Sequence, residues 1–192
     1  MQPDTKTTLL DLAEKAARSR GYDGFSFGDL AQAAGIRKAS IHYHFATKAV
    51  LSAALMDRYH AAVEQVCVDI ETTHDRAVDR LAALVSFYRN ALGGGETLCL
   101  CVAFTISRDS LADEVKDKIV DFRAMMTTWM TALFELGKRD GTISTISAPQ
   151  AEAYATLAML EGAHLSAHAE NDIKPFDKAT EALLDRHDVA VR

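Results

Sequence analysis

Residues 26–48, SFGDLAQAAGIRKASIHYHFATK, constrain this chain more than any other stretch. They read as two short helices joined by a glycine turn, followed by the cap of a third. Leu30, Ala31 and Ala34 place an apolar stripe on the first short helix, and Ile41 and Phe45 continue that spacing on the second. Gly35 stands where a tight interhelical turn needs a residue that tolerates positive φ. The other faces of the second helix carry Arg37, Lys38, Ser40, His42, Tyr43 and His44. A helix that hides two apolar side chains and displays cations, hydroxyls and imidazoles is suited to lie against DNA. This is the helix-turn-helix pattern, whose second helix enters the major groove.

The rest of the chain is read as helical. Its 192 residues suffice for a substantial core, proline is scarce, and strand-like alternation is lacking. Apolar spacing predicts α-helices over about 5–20, 27–34, 37–44, 48–73, 75–91, 98–106, 113–139, 148–171 and 175–187. Ser26 with Asp29 resembles a capping box, and Thr47 suits the N-cap of the long fourth helix. Gly93-Gly94-Gly95 reads as a flexible break. The expected architecture is all-α with about nine helices. A three-helix DNA-binding head over 1–47 precedes a helical bundle over 48–192.

No apolar run reaches the roughly 18 residues of a membrane span, and the N-terminal residues lack a signal-peptide layout. Three cysteines do not suggest a disulfide framework, so a reducing cytoplasm is the expected compartment. Net charge is −6 overall, yet residues 1–48 hold seven Lys/Arg against five acids, giving +2 and leaving −8 for the remainder. A cationic head on an acidic body directs one end to DNA.

Taken together, Gly21-Tyr22, Phe25, Phe27, Asp29-Leu30-Ala31, Gly35-Ile36, Lys38-Ala39-Ser40, His42-Tyr43-His44-Phe45 and Lys48 resemble the N-terminal signature of TetR-family transcriptional regulators. The likeness runs from about Thr7 to Leu51. Ala39 and His42 depart from the commonest residues, glycine and tyrosine, which bears on the operator read. Arg37 can read guanine bidentately, and Arg37 or Lys38 can neutralise phosphate. The resemblance places Ser40, Tyr43 and His44 against phosphate or base edges. His42 is either a base contact or an exposed packing residue. Lys48, opening the fourth helix, would face the phosphate that the helix's N–H groups also meet.

The resemblance further implies a homodimer on a double-stranded palindromic operator, acting as a repressor and released by a small-molecule effector. Ala155, Ala158, Gly162 and Leu165 of the 148–171 helix, with Leu183 and Leu184, are candidates for the dimer interface; the same small residues also suit tight packing within one chain. Phe87, Tyr88, Cys99, Cys101, Phe104, Met125, Met126, Trp129 and Tyr154 are candidates for a ligand pocket, the alternative being plain core. Cys99 and Cys101 could sense an electrophile or oxidant if a thiolate forms there; otherwise they are small buried hydrophobes. Glu161, His164 and His168 share a helical face, but no third strong ligand accompanies the histidines, so no metal and no cofactor is expected. A thiol enzyme and a helical interaction module without DNA affinity are the competing classes, and the chain shows no His-and-acid constellation for the first.

Overall fold

The computed structural model describes residues 4–143 and 148–185. Among them are nine α-helices and no strand: α1 (Thr5–Arg20), α2 (Phe27–Ala34), α3 (Lys38–His44), α4 (Lys48–Thr73), α5 (Ala77–Ala91), α6 (Leu100–Thr105), α7 (Asp113–Asp140), α8 (Pro149–Glu170) and α9 (Lys174–Asp185). No helix among the described residues is long and apolar enough to cross a membrane.

The helix ends follow from capping chemistry. Asp4 opens α1 by accepting from the Lys6 and Thr7 amides, and Gly21, at φ +74°, closes it. At α2 both arms of the capping box are present: Ser26 accepts from the Asp29 amide, and Asp29 accepts from the Ser26 amide. The first turn of α5 is capped from a distance. Asp140 Oδ2 accepts from the Ala77 amide at 2.8 Å and Thr142 Oγ1 from the Val78 amide at 3.3 Å. In α7, Asp113 and Glu114 occupy the first turn and Lys138 and Arg139 the last, as the helix dipole favours. Pro149 starts α8, and Asn171 in the left-handed region ends it.

The chain divides into two compact units. The first holds residues up to Ala61 together with Leu100–Phe122; the second holds Ala62–Cys99 and the residues from Arg123 on. The division falls inside α4 and α7, and within the first unit α1 and the turn after it are tied to α4, α6 and the turn after α6. Arg58 on α4 forks onto Asp11 and Glu14 of α1, each at 2.6 Å. Phe104 of α6 meets the Tyr22 ring edge-on at 5.6 Å, and Ser110 donates to Asp23 at 3.2 Å. The first core gathers Leu9, Phe25, Leu30, Ile41, Phe45, Leu51, Leu55 and Phe104; the second gathers Leu81, Leu84, Met126, Leu133, Phe134, Leu157, Leu160 and Phe176.

The triglycine is not a loose break. Residues 93–95 form a tight turn in which all three glycines have positive φ, and Gly95, at φ +115°, is buried against the C-terminal end of α8. A Cβ there would lie 2.7 Å from the Asp172 nitrogen, so only glycine permits that approach.

Candidate functional site

The α2–α3 turn closes on backbone bonds. Gly35 adopts the left-handed conformation (φ +66°, ψ +28°) and donates to Ala31 and Gln32 carbonyls, while Ile36 donates to Ala31 at 3.0 Å. These bonds satisfy the last carbonyls of α2 and turn the chain sharply into α3. Arg37, extended, precedes α3 without capping it, which leaves its guanidinium outside the helix's own bonding. Ile41 is fully buried and Phe45 is 2% exposed; these two side chains hold α3 down.

Everything else on α3 faces outward. Arg37, Lys38, Ser40, His42 and Tyr43 are exposed, and His44 is half-buried. Tyr43 is 87% exposed, and its ring meets His44 edge-on at 5.2 Å. His42 turns to packing: its ring lies 5.0 Å from Phe27, and its Nδ1 bonds the Ala46 carbonyl at 3.1 Å. A carbonyl can only accept, so Nδ1 carries the hydrogen.

In the free chain the Lys48 side chain is bonded to backbone. Its ammonium donates to the carbonyls of Tyr22 and Phe25, each at 2.6 Å, and sits 4.3 Å from both ring centroids. Burial holds its pKa below the ordinary lysine value, against the opposing pull of Asp23 and Asp29. No sequence pattern signals such a bond, because the acceptors are backbone carbonyls of residues distant along the chain.

The residues expected to line a ligand pocket are divided between the two units. Cys101 and Phe104 belong to the first unit; Phe87, Tyr88, Cys99, Met125, Met126 and Trp129 belong to the second. Tyr154 is 58% exposed and stands on the outer face of α8 with Ala155 and Ala158, so it is not a core-facing residue. Met126 and Tyr88 are buried, and Phe87, Met125 and Trp129 are half-buried. Trp129 Nε1 and Thr156 Oγ1 are buried without a hydrogen-bond partner among the described residues. Cys99 and Cys101 are 2% and 0% exposed. Burial, aided by Glu71 and Glu64, pushes the Cys67 thiol up to about 12.

Of the interface candidates, Ala155, Ala158, Gly162 and Leu165 form an exposed stripe along α8, and Leu184 is 37% exposed on α9. Leu183 is instead 1% exposed: it points into the second unit's core, because α9 turns its apolar face onto that core and only the neighbouring position looks out. Glu161, His164 and His168 go to three separate partners. Glu161 pairs with Arg123. His164, fully buried, accepts from the Cys99 amide through Nδ1 at 3.1 Å and bonds the Tyr88 carbonyl through Nε2 at 2.9 Å. His168 Nδ1 reaches the Gly95 carbonyl at 2.9 Å. Among the described residues no group of three or more His, Cys, Asp or Glu is placed to hold a metal ion. Sequence spacing put these histidines on one face but could not show that each would brace the 88–99 segment.

Comparison with known proteins agrees with this geometry. Residues 9–55 match the family model described as "Bacterial regulatory proteins, tetR family", and residues 77–183 match "Tetracyclin repressor-like, C-terminal domain". The chain is 25% identical over 175 residues to the HTH-type transcriptional repressor DhaR of Mycobacterium sp. (strain GP1), covering 88% of this chain and 85% of that protein. A TetR-family regulator from Agrobacterium tumefaciens superimposes with a TM-score of 0.90 at 27% identity, over 95% of this chain and 96% of that one. The regulatory protein TetR from Rhodobacter sphaeroides shares the fold, with a TM-score of 0.86 at 20% identity over 94% and 97% of the two chains. These relatives are DNA-binding regulators and not enzymes. With both family models matched along its length and a helix-turn-helix displayed as described, the chain belongs to the TetR family of bacterial transcriptional regulators.

Proposed function

We propose that the protein is a cytoplasmic repressor that binds a palindromic operator as a homodimer and is released by a small-molecule effector. One observation carries the DNA part of this reading. On α3, Ile41 and Phe45 are buried while Arg37, Lys38, Ser40 and Tyr43 stand exposed with His44 beside them. A helix so divided offers its outer face to a partner. Arg37 and Lys38 supply charge and guanine-reading geometry, and Ser40, Tyr43 and His44 supply polar contacts to phosphate and base edges. His42, exposed, braces the helix end through Phe27 and the Ala46 carbonyl. Repression is favoured by the Mycobacterium relative, itself named a repressor.

The dimer brings two copies of α3 into successive major grooves, about 34–36 Å apart. The stripe Ala155, Ala158, Gly162 and Leu165 supports an isologous interface, with Tyr154 and Leu184 supplying exposed apolar area beside it. The effector is an apolar molecule held without a covalent bond. Phe87, Tyr88, Met125 and Met126 supply apolar contact, and the buried Trp129 N–H supplies a donor for an acceptor group on it. Burial of Cys99 and Cys101 speaks against attack by either thiol. An effector that binds the non-operator conformation better lowers operator affinity by the same coupling free energy.

The test is titration of the protein's own upstream promoter fragment at several salt concentrations, with sedimentation of the free protein. Salt-dependent binding two protomers at a time is the expected result. A protein that stays monomeric at micromolar concentration and ignores that fragment overturns the reading. Gly162→Arg sharpens the dimer arm: a Cβ there meets nothing within 4 Å in its own chain, so loss of the dimer would report the interface and not the fold.

A further inference from the structure

Resting on the DNA-binding reading above, we infer that Lys48 is a positioning residue: its ammonium clamps the α1–α2 connection to the start of α4 and thereby sets the attitude at which α3 is presented.

The geometry is specific. A lysine ammonium has three donors and no acceptor. Two of those donors are committed at 2.6 Å to the Tyr22 and Phe25 carbonyls, and the charge lies 4.3 Å from both aromatic rings. Charge-assisted bonds this short and two cation–π contacts make an inward-facing site. Both rings are themselves buried, at 7% and 3% exposure. A phosphate could engage only the third donor without breaking this arrangement.

The clamped residues matter for their position in the chain. Tyr22 follows Gly21, where α1 ends, and Phe25 precedes Ser26, the N-cap of α2. Ser26 and Asp29 then fix the first turn of α2, and Gly35 fixes the turn into α3. A shift of the Phe25 carbonyl therefore moves the origin of α2 and, through a rigid two-helix unit, the face of α3. Tyr22 also meets Phe104 of α6 edge-on, so the same clamp reaches the segment 100–122 within the first unit. The role is distinct from phosphate neutralisation: it acts on where α3 lies, without adding charge to the contact surface.

The two roles separate by experiment. Operator and random-sequence duplexes are titrated against wild type, Lys48→Met and Lys38→Ala across a salt series. A positioning residue predicts that Lys48→Met weakens operator binding about tenfold while random-sequence affinity and the salt slope stay at wild-type values. Amide hydrogen exchange at residues 22–27 rises in that variant, and its Tm stays within a few degrees of wild type. Lys38→Ala serves as the charge control, with a slope reduced by about 0.9. A slope reduced by the same amount on both duplexes in Lys48→Met identifies a phosphate contact and overturns the inference, as does unchanged operator affinity. Should Lys48→Met fail to fold, the wild-type ammonium decides the matter by NMR: protected NH3 protons in the free protein that do not shift on adding operator support the clamp, and protons protected only with DNA present refute it. Wild type that binds no duplex sinks the DNA-binding reading itself, a result separate from either outcome at Lys48.

Discussion

Two short helices of the first unit, α3 and α6, are nearly equal in length and opposite in character. Of the seven residues of α3, Ile41 alone is buried; of the six of α6, Leu100 to Phe104 are all buried. Neither is long enough to be stable alone, so each owes its form to tertiary contacts. α3 obtains its contacts from a minimum of side chains, Ile41 within it and Phe45 at its end, together with the Gly35 turn bonds. Apart from His42, which packs on Phe27 and bonds the Ala46 carbonyl, the remaining side chains are then released from structural duty. α6 has no such surplus: its surface is core on every side except Thr105, whose hydroxyl bonds back to the Cys101 carbonyl at 2.7 Å. The contrast shows how one compact unit separates recognition from support. Substitutions on α3 should change binding and spare stability, and substitutions on α6 should do the reverse.

The largest expected effect is on α6. Phe104 is fully buried and packs edge-on against Tyr22. Phe104→Ala removes that area and leaves a cavity, at a cost of about 3–5 kcal/mol in unfolding free energy measured by urea titration. A loss under about 1 kcal/mol would mean that α6 does not support the first unit. Next in size is Arg37→Ala. An exposed Arg outside the helix's own bonding contributes little to the fold, so Tm should stay within a degree or two. Operator affinity should fall by about 1–3 kcal/mol in a fluorescence-anisotropy titration, with relaxed preference at one base pair. If Arg37→Ala destabilises the fold as much as it weakens binding, the division of labour between the two helices fails.

How far these differences could be read in advance depends on the range of the interaction. Helix boundaries were legible because they rest on local chemistry: Asp4, Ser26–Asp29, Gly35 and Pro149 act within a few residues of themselves. The outer face of α3 was legible for the same reason, since two apolar residues at helical spacing leave the rest exposed. What sequence could not supply were bonds from side chains to distant backbone. The Lys48 clamp spans more than twenty residues to carbonyls that every residue type carries, and the His164 bridge joins α8 to the Cys99 amide and Tyr88 carbonyl. The triglycine misled in the same way. Taken locally it is a flexible joint; in the fold it is a close contact made possible by a missing Cβ. Tyr154 and Leu183 show the corresponding limit for apolar residues: helical periodicity assigns a stripe, but which stripe meets a core is decided by the neighbours.

The smallest expected effect tests α6 through its thiol, together with the other two cysteines of the chain. Cysteine reacts as thiolate, and burial in apolar surroundings both raises the pKa and denies access. Cys67, pushed up to about 12, would hold roughly one thiolate in ten thousand at pH 8, against about one in four for an ordinary thiol. Cys99 and Cys101 are as well covered as Cys67 or better. Folded protein treated with iodoacetamide at pH 8 should therefore show almost no modification within an hour, whereas all three cysteines modify in urea. Mass spectrometry reads both. Quick modification of Cys101 in folded protein would require α6 to open spontaneously, and the contrast with α3 would no longer be one of fixed burial. If operator binding were lost in step with that modification, an electrophile or oxidant acting on the thiol would displace the non-covalent effector proposed above. If modification is slow and binding persists, α6 acts as support alone, and the chemistry that this unit offers to solution is confined to the outer face of α3.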